Sequence, residues 1–285
     1  MDTELGSFLR TRRACLTPAE VGLTSYGARR VPGLRREELA QLAGVSATYY
    51  TRLEQGQSQN ASDDVLDAIA RALRLNEDES SHLRALARPT RKGRKPAPRT
   101  ESARPALTHL IGAMSGVAAV VLDRRSDILA WNPLAHRLLA GHCAADSPAS
   151  PATRPNQTRM LFLDEHTRDL YAEWDHEAKR AVAALRLLAG QHPNDRHLAE
   201  LVGELCVKST EFSALWSRHP VLNCTFGTKH FAHPAVGPLE LHFEVLHTPD
   251  NSAQRVLVYS AEPDTASEAA LGLLAADPMR DHAAR

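Results

Sequence analysis

Apolar positions recur at helical spacing over residues 1–88, whereas the rest of the chain mixes helical stripes with short alternating runs. Within Arg35–Gly56 (RREELAQLAGVSATYYTRLEQG), Leu39, Ala40, Leu42 and Ala43 form the stripe of a helix of about two turns, with Arg36, Glu37, Glu38 and Gln41 on its polar side. Gly44 suits a left-handed helix end, and Ser46 can cap a new helix two residues later. The second helix turns Tyr50 and Leu53 inward and Ala47, Thr48, Tyr49 and Arg52 outward, and Gly56 closes it. A small residue at the crossing (Ala40), a glycine in the turn and apolar anchors at Val45, Tyr50 and Leu53 are the requirements of a helix-turn-helix.

The flanking patterns extend this pair to a domain of about five helices spanning 1–88. Residues 4–14 (ELGSFLRTRRA) predict a basic first helix with Leu5, Phe8 and Leu9 on one side, and Thr17-Pro18 signals a short helical start. Leu23–Leu34, rich in Gly and Pro and carrying Arg29 and Arg30, reads as a loop. Ser62, Asp63 and Asp64 can cap a helix with Val65, Leu66, Ile69, Ala70 and Leu73 on its apolar side. A fifth helix begins near Asn76, with Glu77, Asp78 and Glu79 favourably placed at its positive end, and runs through Leu83 and Leu86. Residues 89–104 (PTRKGRKPAPRTESAR) have no apolar period, several prolines and a knot of positive charge, and read as a linker.

Residues 105–275 open differently. The apolar run 117–123 and Ile128–Asn132 predict two strands of a hairpin, and Pro133 starts a helix. Residues 144–158 read as a loop, and 160–215 as helical, with Leu170, Trp174, Leu185, Leu198, Leu205, Phe212 and Trp216 among the apolar positions. Strand character returns at 224–234, at 239–248 with strict alternation, and at 255–262, followed by a helix over 266–274 and a tail at 276–285. This order predicts an α+β domain in which an antiparallel sheet carries helices on one side.

Length agrees with two domains, each able to bury a core. Net charge is zero, which argues against indiscriminate binding of nucleic acid, but residues 1–100 hold 17 Lys+Arg against 12 Asp+Glu, so the excess positive charge lies at the front. Cys15, Cys143, Cys206 and Cys224 form no close pair, which fits reduced thiols rather than a disulfide framework or zinc ribbon. With no signal-peptide pattern and no apolar stretch long enough to span a bilayer, a soluble cytoplasmic protein without membrane association is expected.

LRREELAQLAGVSATYYTRLEQGQ resembles the Cro/repressor-type helix-turn-helix of the xenobiotic-response-element family, and more narrowly a variant with GLRREE before the motif and TYYTRLEQG within it. The resemblance implies double-stranded DNA as partner, with Ala47, Thr48, Tyr49 and Arg52 entering the major groove to read base edges. It implies phosphate contacts from Arg35, Arg36, Ser46, Gln55 and Gln57, which position without specifying. Arg29 and Arg30 fit either the DNA backbone or a solvated loop, and the basic linker either non-specific attraction to DNA or a solvated tether.

Over most of residues 105–275, VLDRRSDILAWN, LFLDEHTRDLYAEWDHEAKRAVAALR, LVGELCVKSTEFSALWSRHPV and GTKHFAHPAVGPLELHFEVL are similar to the ligand-binding domain of MmyB-like transcription regulators. That resemblance implies a PAS-like fold, a homodimer on DNA and a pocket for a small apolar or amphipathic effector such as a fatty acid. Trp131, Trp174, Phe212, Trp216 and Phe243 are candidate pocket residues, although the same side chains would serve an ordinary core, and Asn132 and His233 are the candidate polar groups.

A catalytic domain finds no support: the chain carries no Gly-rich phosphate loop, nucleophile elbow or HExxH motif. Cys224, His230 and His233 would need a further converging ligand or a water to hold zinc, and His242 and His247 lie at odd spacing on a strand, so they face opposite ways. No metal and no bound cofactor are therefore expected. The alternatives to an effector-binding regulator are a C-terminal domain that only dimerises or binds a protein partner, and a metal-dependent hydrolase fused to a helix-turn-helix.

Overall fold

Side-chain caps define where the N-terminal helices begin. In the computed structural model, which describes residues 3–23, 31, 33–57, 61–87, 102–220, 225–248 and 254–276, Thr3 Oγ1 accepts from Gly6 N (3.1 Å) at the start of α1 (Glu4–Cys15). A one-turn 3-10 helix follows at Ala19–Val21, then α2 (Arg36–Leu42) and α3 (Ala47–Glu54), the latter capped by Ser46 Oγ accepting from Tyr49 N at 3.1 Å. Ser62 caps α4 (Asp63–Ala72), and Asn76 and Glu79 exchange side-chain bonds with each other's backbone N–H at the start of α5 (Glu77–Ala87). Gly44 adopts φ +66 between α2 and α3, where Val45 N returns to Ala40 O at 3.0 Å, a turn that a Cβ would strain. The five expected helices are all present. Most of the 23–34 loop, most of the linker and the tail beyond residue 276 lie outside the described residues.

Two compact units divide the chain: Met1–Lys95 with Val182–Leu201 and Ala214–Asn223, and Pro96–Ala181 with Val202–Ser213 and Cys224–Arg285. The core of the first joins Phe8 and Leu9 of α1, Leu39 of α2, Tyr50 and Leu53 of α3 and Ile69 of α4, none of them exposed. α1 and α3 approach so closely that a Cβ on Gly6 would lie 2.0 Å from the carbonyl oxygen of Glu54. Within this unit the guanidinium of the buried Arg186 lies 3.7 Å from the Trp216 ring centroid, donates to Trp216 O and pairs with Glu4 at 3.2 Å.

The second unit contains α6 (Pro105–Gly112), β1 (Ala118–Leu122), β2 (Ile128–Trp131), α7 (Pro133–Ala140), α8 (Gln157–Leu163) and α9 (Glu165–Leu170). Next come α10 (Trp174–Gln191), α11 (Arg196–Lys208) and α12 (Thr210–Ser217), parts of which count with the first unit, then β3 (Phe226–His233), β4 (Gly237–His247), β5 (Arg255–Ser260) and α13 (Ala266–Ala276). The strands form one antiparallel sheet in the order β2-β1-β5-β4-β3. β5, the last strand in the chain, lies at the centre of the sheet; β1 lies between β2 and β5, and all five of its residues are buried.

That burial corrects the expectation of helices on one side. Ala119 and Val121 of β1, with Leu129 and Val256, pack against Leu107 and Ile111 of α6, whereas Val120 and Ile128 face the opposite layer of α7, α8 and α9. A strand covered on both faces reads as an unbroken apolar run, which is what residues 117–122 are. The covering helix α6 also went unforeseen, though Pro105 at its first position and Leu107 and Ile111 four apart carry its signal.

His82 and His219 of the first unit are both held neutral, with pKa values lowered to about 4 from an ordinary 6.5 by burial and by the nearby charges of Arg186 and Arg12. His82 stands edge-on to Phe8 at 5.2 Å, and neither ring nitrogen has a hydrogen-bond partner among the described residues. Because both folded pKa values lie below the unfolded one, the unfolded chain takes up protons first: their contribution to stability is intact above pH 6.5 and is lost as pH falls toward 4. We predict that the urea midpoint drops across this window and that His82→Leu removes on the order of 1–3 kcal/mol of that drop, read as the difference between the two pH profiles.

Candidate functional site

α3 presents two exposed side chains four residues apart, Thr48 and Arg52, on one face of the helix. Tyr49 is half-buried beside them, and Ala47 is half-buried because it packs on the core. Arg35, Ser46, Gln55 and Gln57 are exposed around both ends of the helix pair, with the Ser46 hydroxyl accepting from Tyr49 N and Arg35 N donating to Glu38 Oε2 at 2.7 Å. Thr48 and Arg52 thus share one surface with Tyr49 beside them, and Arg35, Ser46, Gln55 and Gln57 are exposed around it.

Arg36 is placed differently. Its Nε and Nη2 reach Glu54 Oε1 at 3.0 and 2.9 Å, and Arg13 forks onto the same carboxylate, Nε to Oε2 at 3.2 Å and Nη2 to Oε1 at 3.1 Å. Arg13 also donates to Leu34 O at 2.6 Å. Burial works against the charge of Arg13, yet hydrogen bonding and attraction from Glu54 outweigh it and raise its pKa. The buried carboxylate therefore joins α1, α2 and α3 and fixes the tilt at which α3 offers Thr48 and Arg52. Glu54 was missed in the sequence; its signal is a charged residue four places after Tyr50, on the inward side of the helix.

In the second unit, Val120 and Ile128 of the sheet, Leu139 of α7, Met160 of α8 and Thr167 and Leu170 of α9 surround a cavity of about 10 Å³, with Gln157 and Tyr171 completing its wall. That volume admits about one water. None of the seven residues expected at a ligand pocket lines it. Asn132 spends its amide on structure: its oxygen accepts from Ala119 N and Ala135 N at 3.1 and 2.8 Å, and its nitrogen donates to Ile111 O and Val117 O at 3.2 and 2.8 Å. This caps α7 and leaves no bonding capacity for a ligand. His233 Nδ1 accepts from Ala235 N at 3.2 Å, so Nε2 is the donor to Arg137 O at 3.1 Å.

The aromatic candidates are similarly occupied. Trp131 donates to Ala145 O at 2.7 Å and leans on His136, while Trp174 donates to Leu161 O at 2.8 Å. Trp174 and Phe212 both meet Phe162 edge-on, at 5.6 and 5.1 Å. Phe243 is buried with the Lys229 ammonium 5.0 Å from its ring, and Trp216 lies in the first unit against Arg186. The cavity residues escaped notice because Leu139, Met160 and Leu170 read as ordinary helical stripe.

Of the candidate zinc ligands, Cys224 lies outside the described residues. His230 approaches Glu173 (3.5 Å) and Glu240 (3.8 Å), and His242 approaches Glu262 (3.2 Å). Among the described residues, metal-binding side chains converge instead at His142, Asp164 and His166, none of which was singled out from the sequence. Burial alone would raise the Asp164 carboxyl, but the Thr167 hydroxyl and the charge of His142 outweigh it and hold it below the usual value.

The chain thus joins a helix-turn-helix held by a buried ionic clamp to an α+β sheet domain with a small apolar cavity, the architecture of a DNA-binding regulator with a second, sheet-based domain. Residues 4–83 match the helix-turn-helix domain, and residues 103–274 match the MmyB-like transcription regulator ligand binding domain. The chain belongs to the MmyB-like transcription regulators. No curated protein matches it.

The clamp generates a prediction. Glu54→Ala leaves two guanidinium groups facing each other without their carboxylate, one of them largely buried, and should lower stability by about 3–5 kcal/mol. Chemical denaturation checks this; a loss no larger than that of Arg36→Ala, which leaves the Arg13 fork intact, would show that the clamp does not hold the motif.

Proposed function

We propose that the protein is a cytoplasmic, non-enzymatic transcription factor that binds an inverted-repeat operator as a homodimer and responds to a small apolar or amphipathic effector such as a fatty acid. The observation that carries the DNA half is the surface formed by Thr48, Tyr49 and Arg52 over rigid anchors at Tyr50, Leu53 and Glu54. Arg52 is suited to fork onto guanine, Thr48 to donate or accept, and Ala47 and Tyr49 to pack on thymine methyl groups. Two such helices on a dimer would enter successive major grooves about 34 Å apart. Arg35, Ser46, Gln55 and Gln57 are available for phosphate, and Arg36 can contribute only the part of its guanidinium that Glu54 leaves exposed. No helix of the described residues is long and apolar enough to cross a membrane.

The effector half rests on the apolar cavity beside the sheet. At about 10 Å³ it is too small for an effector, which must select a form in which wall residues have moved. Met160, unbranched and adaptable, is the side chain best suited to yield. The small volume also favours a second reading, in which this domain dimerises or binds a protein partner and takes no small molecule.

Two outcomes test the proposal. Arg52→Ala should reduce discrimination at one base pair per half-site by about 1–3 kcal/mol, measured by competition between operator variants; an equal loss on operator and random DNA would remove Arg52 from base reading. Native mass spectrometry of the freshly purified protein should show a dimer carrying an apolar molecule of a few hundred daltons, and Leu170→Trp, which fills the cavity, should exclude it. A dimer with nothing bound, and no change in operator affinity on adding lipids, would favour the second reading.

A further inference from the structure

We propose that His142, Asp164 and His166 form a binding site for one first-row divalent cation, of which Zn²⁺ best fits the donors. The proposal stands independently of any effector in the apolar cavity. Two imidazoles and one carboxylate make the three-ligand set that leaves a fourth tetrahedral position for water. His142 lies just beyond the end of α7, and Asp164 joins α8 to α9, so a cation would tie three helices together at one point.

The geometry is close to what such an ion requires. His142 Nε2 and Asp164 Oδ2 lie 2.6 Å apart, His166 Nδ1 and Asp164 Oδ1 lie 3.5 Å apart, and one ligand atom from each residue fits within a 4.8 Å spread. Bonds of about 2.0–2.1 Å in a tetrahedron place donors about 3.3 Å apart, so closure asks for shifts of about 1.5 Å. The two rings stack with centroids 4.7 Å apart at 12°, so their donor directions run side by side and one ring must turn. The side chain of His166 is 73% exposed, which leaves room for that rotation.

Asp164 is already oriented by outer partners. His166 N donates to Oδ1 and the Thr167 hydroxyl to Oδ2, each at 3.0 Å, as the hydrogen bonds around a metal-binding carboxylate commonly do. A cation entering between His142 Nε2 and Asp164 Oδ2 would take the place of the hydrogen between them, the neutral imidazole then carrying its one proton on Nδ1, with no change of oxidation state. Thr167 is also a wall residue of the apolar cavity, so the ion would stiffen one side of that cavity.

The test uses the full chain, purified without a histidine tag and stripped with chelator. Zn²⁺ is titrated against a chromogenic competitor, and Co²⁺ is followed by visible absorption. One equivalent of Zn²⁺ per chain is expected, with the intense bands of tetrahedral cobalt. His166→Ala and Asp164→Asn should each weaken Zn²⁺ by more than about tenfold, whereas His197→Ala, at an exposed position elsewhere, should leave the affinity unchanged. Because His166 is exposed and Asn can also cap a helix, both variants are expected to keep the wild-type melting curve. The absence of stoichiometric zinc, zinc binding that survives His166→Ala, or a loss shared equally by His197→Ala would overturn the assignment.

Discussion

The Glu54 carboxylate is the constraint on which the reading surface depends. It is buried at the end of α3, and charge at such a place survives only when it is paired and hydrogen-bonded. Arg13 and Arg36 supply those bonds from α1 and α2, so three helices share one polar junction. Apolar contacts at Tyr50 and Leu53 press α3 inward, but such contacts are non-directional. The forked guanidinium of Arg13 adds direction, because its planar donors meet both carboxylate oxygens only at a particular helix rotation. Thr48 and Arg52 are exposed as a consequence of that rotation.

The second unit is organised by a different constraint, the complete burial of β1. With α6 on one face and α7 to α9 on the other, neither side of the strand is left for solvent. Asn132 secures this arrangement at the point where β2 ends, bonding to Ala119 in β1, to Ile111 in α6 and to the first turn of α7. An asparagine that satisfies four partners is a structural joint with no hydrogen bond left for an effector.

Polar residues that carry chemistry lie beside the cavity rather than in it. Thr167 faces the cavity and also holds Asp164, which in turn caps α9 and meets His142. Phe162, Trp174 and Phe212 form a separate cluster, with the Trp174 indole N–H satisfied by the Leu161 carbonyl.

The sequence by itself determined every feature that is local. Ser46 and Ser62 cap the helices they precede, Gly44 occupies the left-handed turn, and the alternation of Leu239, Leu241 and Phe243 sets which side of β4 is buried. These depend on backbone conformation and on a period of two or 3.6 residues, which a short window records. Tertiary structure decided what distant segments share. Nothing in the neighbourhood of Glu54 names Arg13 as its partner, nothing near Arg36 shows that its guanidinium turns inward, and the interior place of β1 appears only when β5 returns to pair with it. His142 and Asp164 lie on either side of a long loop and meet because α7 and α9 pack together. Such pairings depend on how the chain closes its loops around a core, and spacing along the sequence does not encode that distance.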